Sequence, residues 1–341
     1  MYYAGLDVAC KGSFLYVQDR HGRKVEGREI LTTRWSIKEA FKKYKSSLVE
    51  VAVEAGGSTR WIYDTLKAIG IRVYVVNPHK VKAIAESKRK TDKIDAKLLS
   101  DLLRLGALPQ EVIMVEGEIR ELRDLMQARQ KIVEGYGRLI NYLRGLLRQE
   151  GVRLPQRSFR SDRWLAEISK QRLPEHVRQI MDRYTELIDN MVEEKKNLEE
   201  KILKCNNQDI ELIKTIPGIG DISSRTISAA IGQIKRFKKA KQLTSYCGLV
   251  PSVRASGERV EYGHITREGR SEVRRVGVQC AHAVLLSRTK ESEPLRLWHA
   301  RIARYRGYRT AIVALARKMI TIVFYVLRDK KPYDYRLLTV N

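Results

Sequence analysis

Apolar and polar positions fall into three textures along the chain. In the first third the apolar residues come in short blocks. Tyr2–Val8, Ser13–Gln18 and Arg28–Thr32 are β-prone runs, with Gly12 and His21-Gly22 as turns between them. Leu48–Ala55 reads as a buried strand ending at Gly56-Gly57, and Arg72–Asn77 as another, stopped by Pro78. Between these blocks the spacing becomes helical. Ser36–Tyr44 predicts a short helix. Ser58 is the expected cap of a second, with Trp61, Leu66 and Ile69 on its apolar side. Thr91 is the expected cap of a third, from Asp92 to about Leu105, with Leu98, Leu99, Leu102 and Leu105 at helical spacing. The order β-β-β-α-β-α-β-α predicts an α/β domain with a mixed sheet.

The middle third is helical over long stretches. Leu122, Leu125, Ile132, Leu139, Leu143 and Leu146 recur at intervals of three, four and seven. After Pro155 and Pro174 a second run passes through Val177, Ile180, Met181, Leu187, Ile188, Met191, Leu198 and Ile202. Two long antiparallel helices are expected, serving as a coiled-coil dimerisation element or as a spacer. The last third opens on Thr215-Ile216-Pro217-Gly218-Ile219-Gly220 and a helix through Ile227 and Ile231. A buried turn at Tyr246–Pro251 follows, then a polar, glycine-punctuated loop over Arg254–Gly269, then helices near Ser271–Ser287 and Ala311–Leu327.

Charge sharpens these boundaries. The net charge is +26 over 341 residues, divided as +9 over residues 1–110, 0 over 111–213 and +17 over 214–341. Three domains with those limits are expected. An excess of this size argues for a polyanionic partner, DNA or RNA. The composition, 43% hydrophobic and 31% charged, is that of a folded protein. The longest apolar candidate for a membrane span, Thr310–Val326, is interrupted by Arg317 and Lys318, and no signal peptide is read at the N-terminus. Cys10, Cys205, Cys247 and Cys280 lie far apart without a Cys-x-x-Cys pair, which argues against a zinc site or a disulfide framework and fits a reduced cytoplasmic compartment.

Three groups of residues carry candidate chemistry. Asp7 and Glu54 close two apolar strands, where a carboxylate is costly unless paired or bound to a cation. Asp92 and Asp95, spaced i, i+3, share a face at a helix start beside the basic run Lys88-Arg89-Lys90. Asp92 is also at home in a first helical turn on dipole grounds alone. Together the four make an oxygen-only set suited to Mg²⁺ or Mn²⁺ and to phosphodiester chemistry. Gly218 and Gly220 fit a helix-hairpin-helix turn whose backbone N–H groups meet a phosphate. No Gly-x-x-x-x-Gly-Lys-Ser/Thr motif is present, so ATP is not an expected cofactor. The third group is a pair of serines among arginines. Ser252 and Ser256 lie near Arg254, Arg259, Arg267, Arg274 and Arg275, the setting a serine nucleophile at phosphorus needs. Ser256 beside Gly257 has the more open backbone, and composition leaves Ser252 as its rival.

These motifs, in this order, resemble the DEDD-type insertion-sequence transposases, the insertion sequence 110 family with its related pilin-inverting recombinases. Asp7 in GLDV, Glu54 in VEAGG, KTDKIDA at 90–96, and later IPGIG, YCGLVP, ASG and GHITREG carry the resemblance over nearly the whole chain. It implies an RNase H-like (RuvC-like) N-terminal domain, a coiled-coil middle and a mainly helical C-terminal transposase domain. It further implies Asp7, Glu54, Asp92 and Asp95 as the metal-binding tetrad and Ser256 as the nucleophile of a covalent serine–DNA intermediate. The implied partners are donor and target DNA, a non-coding bridge RNA and further copies of the chain, as a homodimer and a tetramer on DNA. The implied location is the cytoplasm, on the nucleoid. Where many members have two adjacent serines, this chain has Ala255-Ser256.

Overall fold

The computed structural model describes residues 1–44, 49–84, 91–152, 168, 170–256 and 259–338. The chain divides into two compact units, Met1–Val115 and Glu116–Asn341.

The first unit is built on a five-stranded sheet. Its strands are β1 (Tyr2–Val8), β2 (Gly12–Asp19), β3 (Lys24–Leu31), β4 (Val49–Glu54) and β5 (Arg72–Val76), in the order β3-β2-β1-β4-β5. The first three pair antiparallel, while β4 lies parallel to both β1 and β5. Successive side chains of a strand alternate between faces. Ala4, Leu6, Val51, Val53, Val73 and Val75 therefore share one face, packed with Ile37 and Phe41 of α1 (Arg34–Lys42) and Ile62 and Leu66 of α2 (Thr59–Ala68). Ala52, Tyr74 and Val76 take the other face, against Val81 of α3 (Pro78–Ile84) and Leu99, Leu102 and Leu103 of α4 (Asp92–Arg104).

The expected order of elements is present, with local corrections. Ser58 makes no side-chain cap on α2. The neighbouring Thr59 hydroxyl ties the turn instead, accepting from Gly56 N–H at 2.8 Å and donating to the Glu54 carbonyl at 2.7 Å. Pro78 ends β5 but also begins α3, because a missing N–H costs nothing in a first helical turn. Thr91 does cap α4, accepting from Ile94 N–H at 3.3 Å.

In the second unit, α5 (Gly117–Gln149) and α6 (Glu175–Lys204) pair within the chain. Arg129 bridges Glu199 at 2.6 Å, a Cβ on Gly135 would meet Met191, and the rings of Tyr142 and Tyr184 lie 5.2 Å apart. Residue numbers rise along one helix as they fall along the other, so the pair is antiparallel. Their apolar faces meet through Tyr136, Ile140, Leu143 and Leu147 on one side and Val177, Met181 and Ile188 on the other. Packing continues past residue 213: Leu122 and Ile202 close on Ile210 of α7 (Gln208–Lys214) and Ala229 of α8 (Asp221–Ile231).

Further helices and strands are α9 (Ala240–Tyr246), the strands β6 (Pro251–Ser256) and β7 (Arg259–Ile265), α10 (Ser271–Leu286), α11 (Glu293–Arg306) and α12 (Tyr308–Asp329). The stretch expected as loop from Arg254 is thus an antiparallel hairpin. Its pattern is hard to read because Val253 and Tyr262, opposite each other, are both exposed, at 54% and 72%. Helix α12 is long and apolar enough to cross a membrane by length and composition. Leu315, Met319, Val323 and Phe324 instead bury it against Ile227, Leu243, Val273 and Val284.

Candidate active site

Strand register brings the first two acids side by side. Leu6 of β1 lies opposite Val53 of β4, so Asp7 and Glu54 follow at the same end of adjacent parallel strands. Alternation turns both toward the face that α4 covers. The helix is held there by direct backbone approach. A Cβ on Gly5 would overlap the Ala96 carbonyl oxygen and stand 2.8 Å from the Ser100 nitrogen. Only glycine permits that fit. The Ser100 hydroxyl donates to the Tyr3 carbonyl at 3.0 Å and accepts from Gln18 Nε2 at 2.9 Å, Gln18 being fully buried. Ser100 beside Tyr3 and Ala96 beside Gly5 set α4 antiparallel to β1, so its first turn, with Asp92 and Asp95, comes toward Asp7.

The electrostatics register that convergence. The Asp7 carboxyl is raised from 3.8 to about 6, first by burial, then by the negative charges of Asp92, Asp95 and Glu54, with partial relief from the Val8 N–H. Glu26 in the same unit is the contrast. Lys43 at 2.8 Å, the Tyr44 hydroxyl at 2.5 Å and Arg28 at 2.6 Å hold it at about 2 although it too is partly buried. Among the described residues, no three acidic, histidine or cysteine side chains stand close enough to enclose an ion. The four acids form an electrostatically coupled group rather than a closed cage.

The basic and serine candidates have varied fates. Lys88, Arg89 and Lys90 lie outside the described residues, as do the side chains of Arg254, Ser256 and Arg259. The Ser256 backbone pairs with Arg259 at the tip of the hairpin. Ser252 is exposed near the hairpin's base, its hydroxyl in the space a Cβ on Gly263 would need. Arg267 is exposed, with a left-handed φ of 57°. Arg274 donates to the Cys247 carbonyl at 3.1 Å, and Arg275 pairs with Glu134 of α5 at 3.3 Å. The two glycines of the Ile216–Gly220 turn part company. Gly218, at φ 80°, is packed inward, where a Cβ would stand 2.6 Å from the Cys280 carbonyl oxygen. Gly220 faces open space at the start of α8, next to Asp221, which pairs with Lys214 at 2.9 Å and Arg225 at 3.3 Å.

Sequence reasoning missed the residues that hold these parts in place. Gly5 and Ser100 seat α4, and the only signal was the glycine two positions before Asp7. Arg225, 3% exposed, donates to the carbonyls of Ile202, Leu203 and Cys205 and so caps the end of α6. Arg123 does the same for α8 through Ala229 and Ala230.

Residues 4–151 match a DEDD-type transposase domain. Residues 210–295 match the transposase domain of the IS116/IS110/IS902 family. The chain belongs to the IS110 family of transposases. It is 27% identical to the transposase for insertion sequence element IS1111A of Coxiella burnetii, over 96% of this chain and 90% of that protein. It is 25% identical to a probable family 20 transposase of Pseudomonas aeruginosa, over 96% of this chain and 97% of that one. It is also 27% identical to the pilin gene-inverting protein of Moraxella bovis, over 86% and 84% of the two chains.

Proposed function

We propose that this transposase cuts and rejoins DNA through a covalent phosphoserine at Ser256, with a divalent ion held by Asp7, Glu54, Asp92 and Asp95. The observation that carries the reading is the convergence of Asp7, Glu54 and the first turn of α4, where burial and the neighbouring acids raise the Asp7 carboxyl. Acids brought together without a cation repel one another, and a hard divalent ion relieves that repulsion through oxygen ligands. The donor set therefore fits Mg²⁺ or Mn²⁺. A bound ion supplies charge neutralisation at the phosphoryl oxygens. The sheet order, with three antiparallel strands extended by two parallel ones, supports an RNase H-like reading of the first unit.

In the proposed step the Ser256 oxygen forms a bond to phosphorus. The bond to one deoxyribose oxygen breaks, and the serine proton ends on that released oxygen. Reverse attack by a deoxyribose hydroxyl restores serine and a DNA strand. The ester keeps the bond energy, so no ATP is required. The net charge of +17 in the last 128 residues supports nucleic-acid binding. The family resemblance supports a bridge RNA as guide, assembly as homodimer and tetramer, with α5 and α6 as a coiled coil, and a cytoplasmic, nucleoid-associated site of action. Sequencing RNA that co-purifies with the protein, expressed with its native flanking DNA, tests the guide: one discrete flank transcript supports it.

The chemistry is tested with end-labelled DNA on a denaturing gel. A covalent protein–DNA adduct is expected from the wild-type chain and from Ser252→Ala, with none from Ser256→Ala. Free ends without an adduct, unchanged in Ser256→Ala, would instead assign a RuvC-like nuclease that uses water.

A further inference from the structure

The foot of the β6–β7 hairpin holds a concentration of positive charge that no candidate motif contains. Arg236, Arg270 and Arg123 gather around Tyr246. Arg236 stacks on the rings of Tyr246 and Phe237, its guanidinium carbon 4.3 and 4.5 Å from their centroids. Arg270 Nε donates to the Tyr246 hydroxyl at 2.8 Å, and that hydroxyl donates to the Ala230 carbonyl at 3.2 Å. Arg123 reaches the same Ala229-Ala230 carbonyls from α5. The carboxylate facing the group is Glu272, paired with Arg270 at 3.4 Å.

The three cations are not equally occupied. Arg123 has two backbone carbonyls, and Arg270 has a hydroxyl and a carboxylate. Arg236 Nε and Nη2 are shut off from solvent and have no hydrogen-bond partner among the described residues. Buried guanidinium N–H groups normally find acceptors, because leaving those hydrogen bonds unmade is costly. The charges also act on one another. Arg123 is lowered to about 10, first by burial and next by the positive charge of Arg270. A half-buried cluster of three cations and one carboxylate, in which the partly exposed Arg236 is short of acceptors, is what a phosphate recognises.

We propose that Arg236, flanked by Arg270 and Arg123, is a binding site for a backbone phosphate of a nucleic-acid strand. The cluster adjoins the hairpin through bonded backbone. Arg270 N–H donates to the Tyr246 carbonyl at 2.9 Å, and Thr266 N–H donates to the Val250 carbonyl at 2.9 Å. A strand held at Arg236 is therefore anchored at the foot of the hairpin whose tip carries Ser256. The contact is to phosphate, so it fixes position and reads no sequence. The choice of a nucleic acid as ligand rests on the transposase reading; the anion site itself does not depend on Ser256 chemistry.

The test uses the full chain and Arg236→Gln, with exposed Arg183→Gln on α6 as control. A short fluorescent duplex of arbitrary sequence is titrated at several salt concentrations. Arg236→Gln is expected to weaken binding by roughly tenfold and to reduce the log–log salt slope by about 0.9, the value for one lost phosphate contact. Melting is then followed in inorganic phosphate against chloride at matched ionic strength. Wild type, the control and Ser256→Ala are expected to share an extra phosphate stabilisation that Arg236→Gln lacks. An Arg236→Gln protein with wild-type slope and phosphate response overturns the proposal, whatever its melting temperature. Should that variant not fold, Arg236→Lys substitutes: weaker duplex binding at an unchanged slope supports the site, and wild-type affinity overturns it. Loss of adduct in Ser256→Ala with phosphate binding intact separates this proposal from the reading of the nucleophile.

Discussion

Two sites, one in each unit, handle buried charge in opposite ways. At the end of the β1–β4 strand pair, burial and the negative charges of Asp92, Asp95 and Glu54 raise the Asp7 carboxyl to about 6. Inside the C-terminal unit, Arg225 is almost wholly buried but is saturated by backbone carbonyls at the end of α6. The first arrangement sets like charges near one another; in the second, backbone carbonyls take up the guanidinium donors. Formal charge is thus a poor guide to where ligands bind. Arg225, Arg123 and Arg274 all count toward the basic total, yet their hydrogen bonds go to the fold. Glu26 makes the same point for acids, since a surrounded carboxylate drops to about 2 while an acid among acids rises.

The strongest way to break the comparison is to remove the satisfied cation. Arg225→Met is expected to destabilise the C-terminal unit by about 3–5 kcal/mol, since the carbonyls it serves lose a buried charged donor. Denaturant unfolding measures this, and a loss below about 1 kcal/mol would show that water replaces the guanidinium. Next in size is the seat of α4. Gly5→Ala drives a methyl into the Ala96 carbonyl and is expected to cost about 2–3 kcal/mol. It is also expected to abolish adduct formation, because Asp92 and Asp95 move with the helix. Ser100→Ala, which leaves the buried Gln18 amide without its partner, follows at roughly 1–3 kcal/mol.

The smallest effect concerns pH. The folded chain holds the Asp7 proton more tightly than the unfolded chain, whose value is near 3.8. The stability this group contributes is whole below pH 4 and is lost as pH rises through about 6. Metal-free Asp7→Asn lacks that dependence. Its melting temperature is expected to gain a few degrees on wild type between pH 4.5 and 7.5. Parallel curves for the two proteins would mean that neither burial nor the neighbouring acids raise the Asp7 carboxyl in solution.

Much of this site was legible in the sequence because its signals are local. Asp7 and Glu54 end apolar runs, and Asp92 and Asp95 sit one helical turn apart behind a Thr cap. The rest is long-range. Gly5 reads as an ordinary strand glycine until α4 is laid across it, and Gly218 reads as a phosphate turn until α10 fills the space beside it. Arg225 serves a helix end some twenty residues away, which no spacing rule anticipates. The hairpin around Ser256 was hidden for a different reason. Val253 and Tyr262 stand exposed opposite each other, so they give no alternating hydrophobic trace, and the arginines and glycines there read as loop.

The most direct test of the central claim is calorimetric titration of Mn²⁺ into the full chain, beside Asp7→Asn and Asp92→Asn. Saturable binding in wild type, weakened at least tenfold in both variants and accompanied by proton release near pH 6, is the expected result. Equal binding by all three proteins, with no protons released, would mean that the acids gathered at the strand ends do not hold the ion.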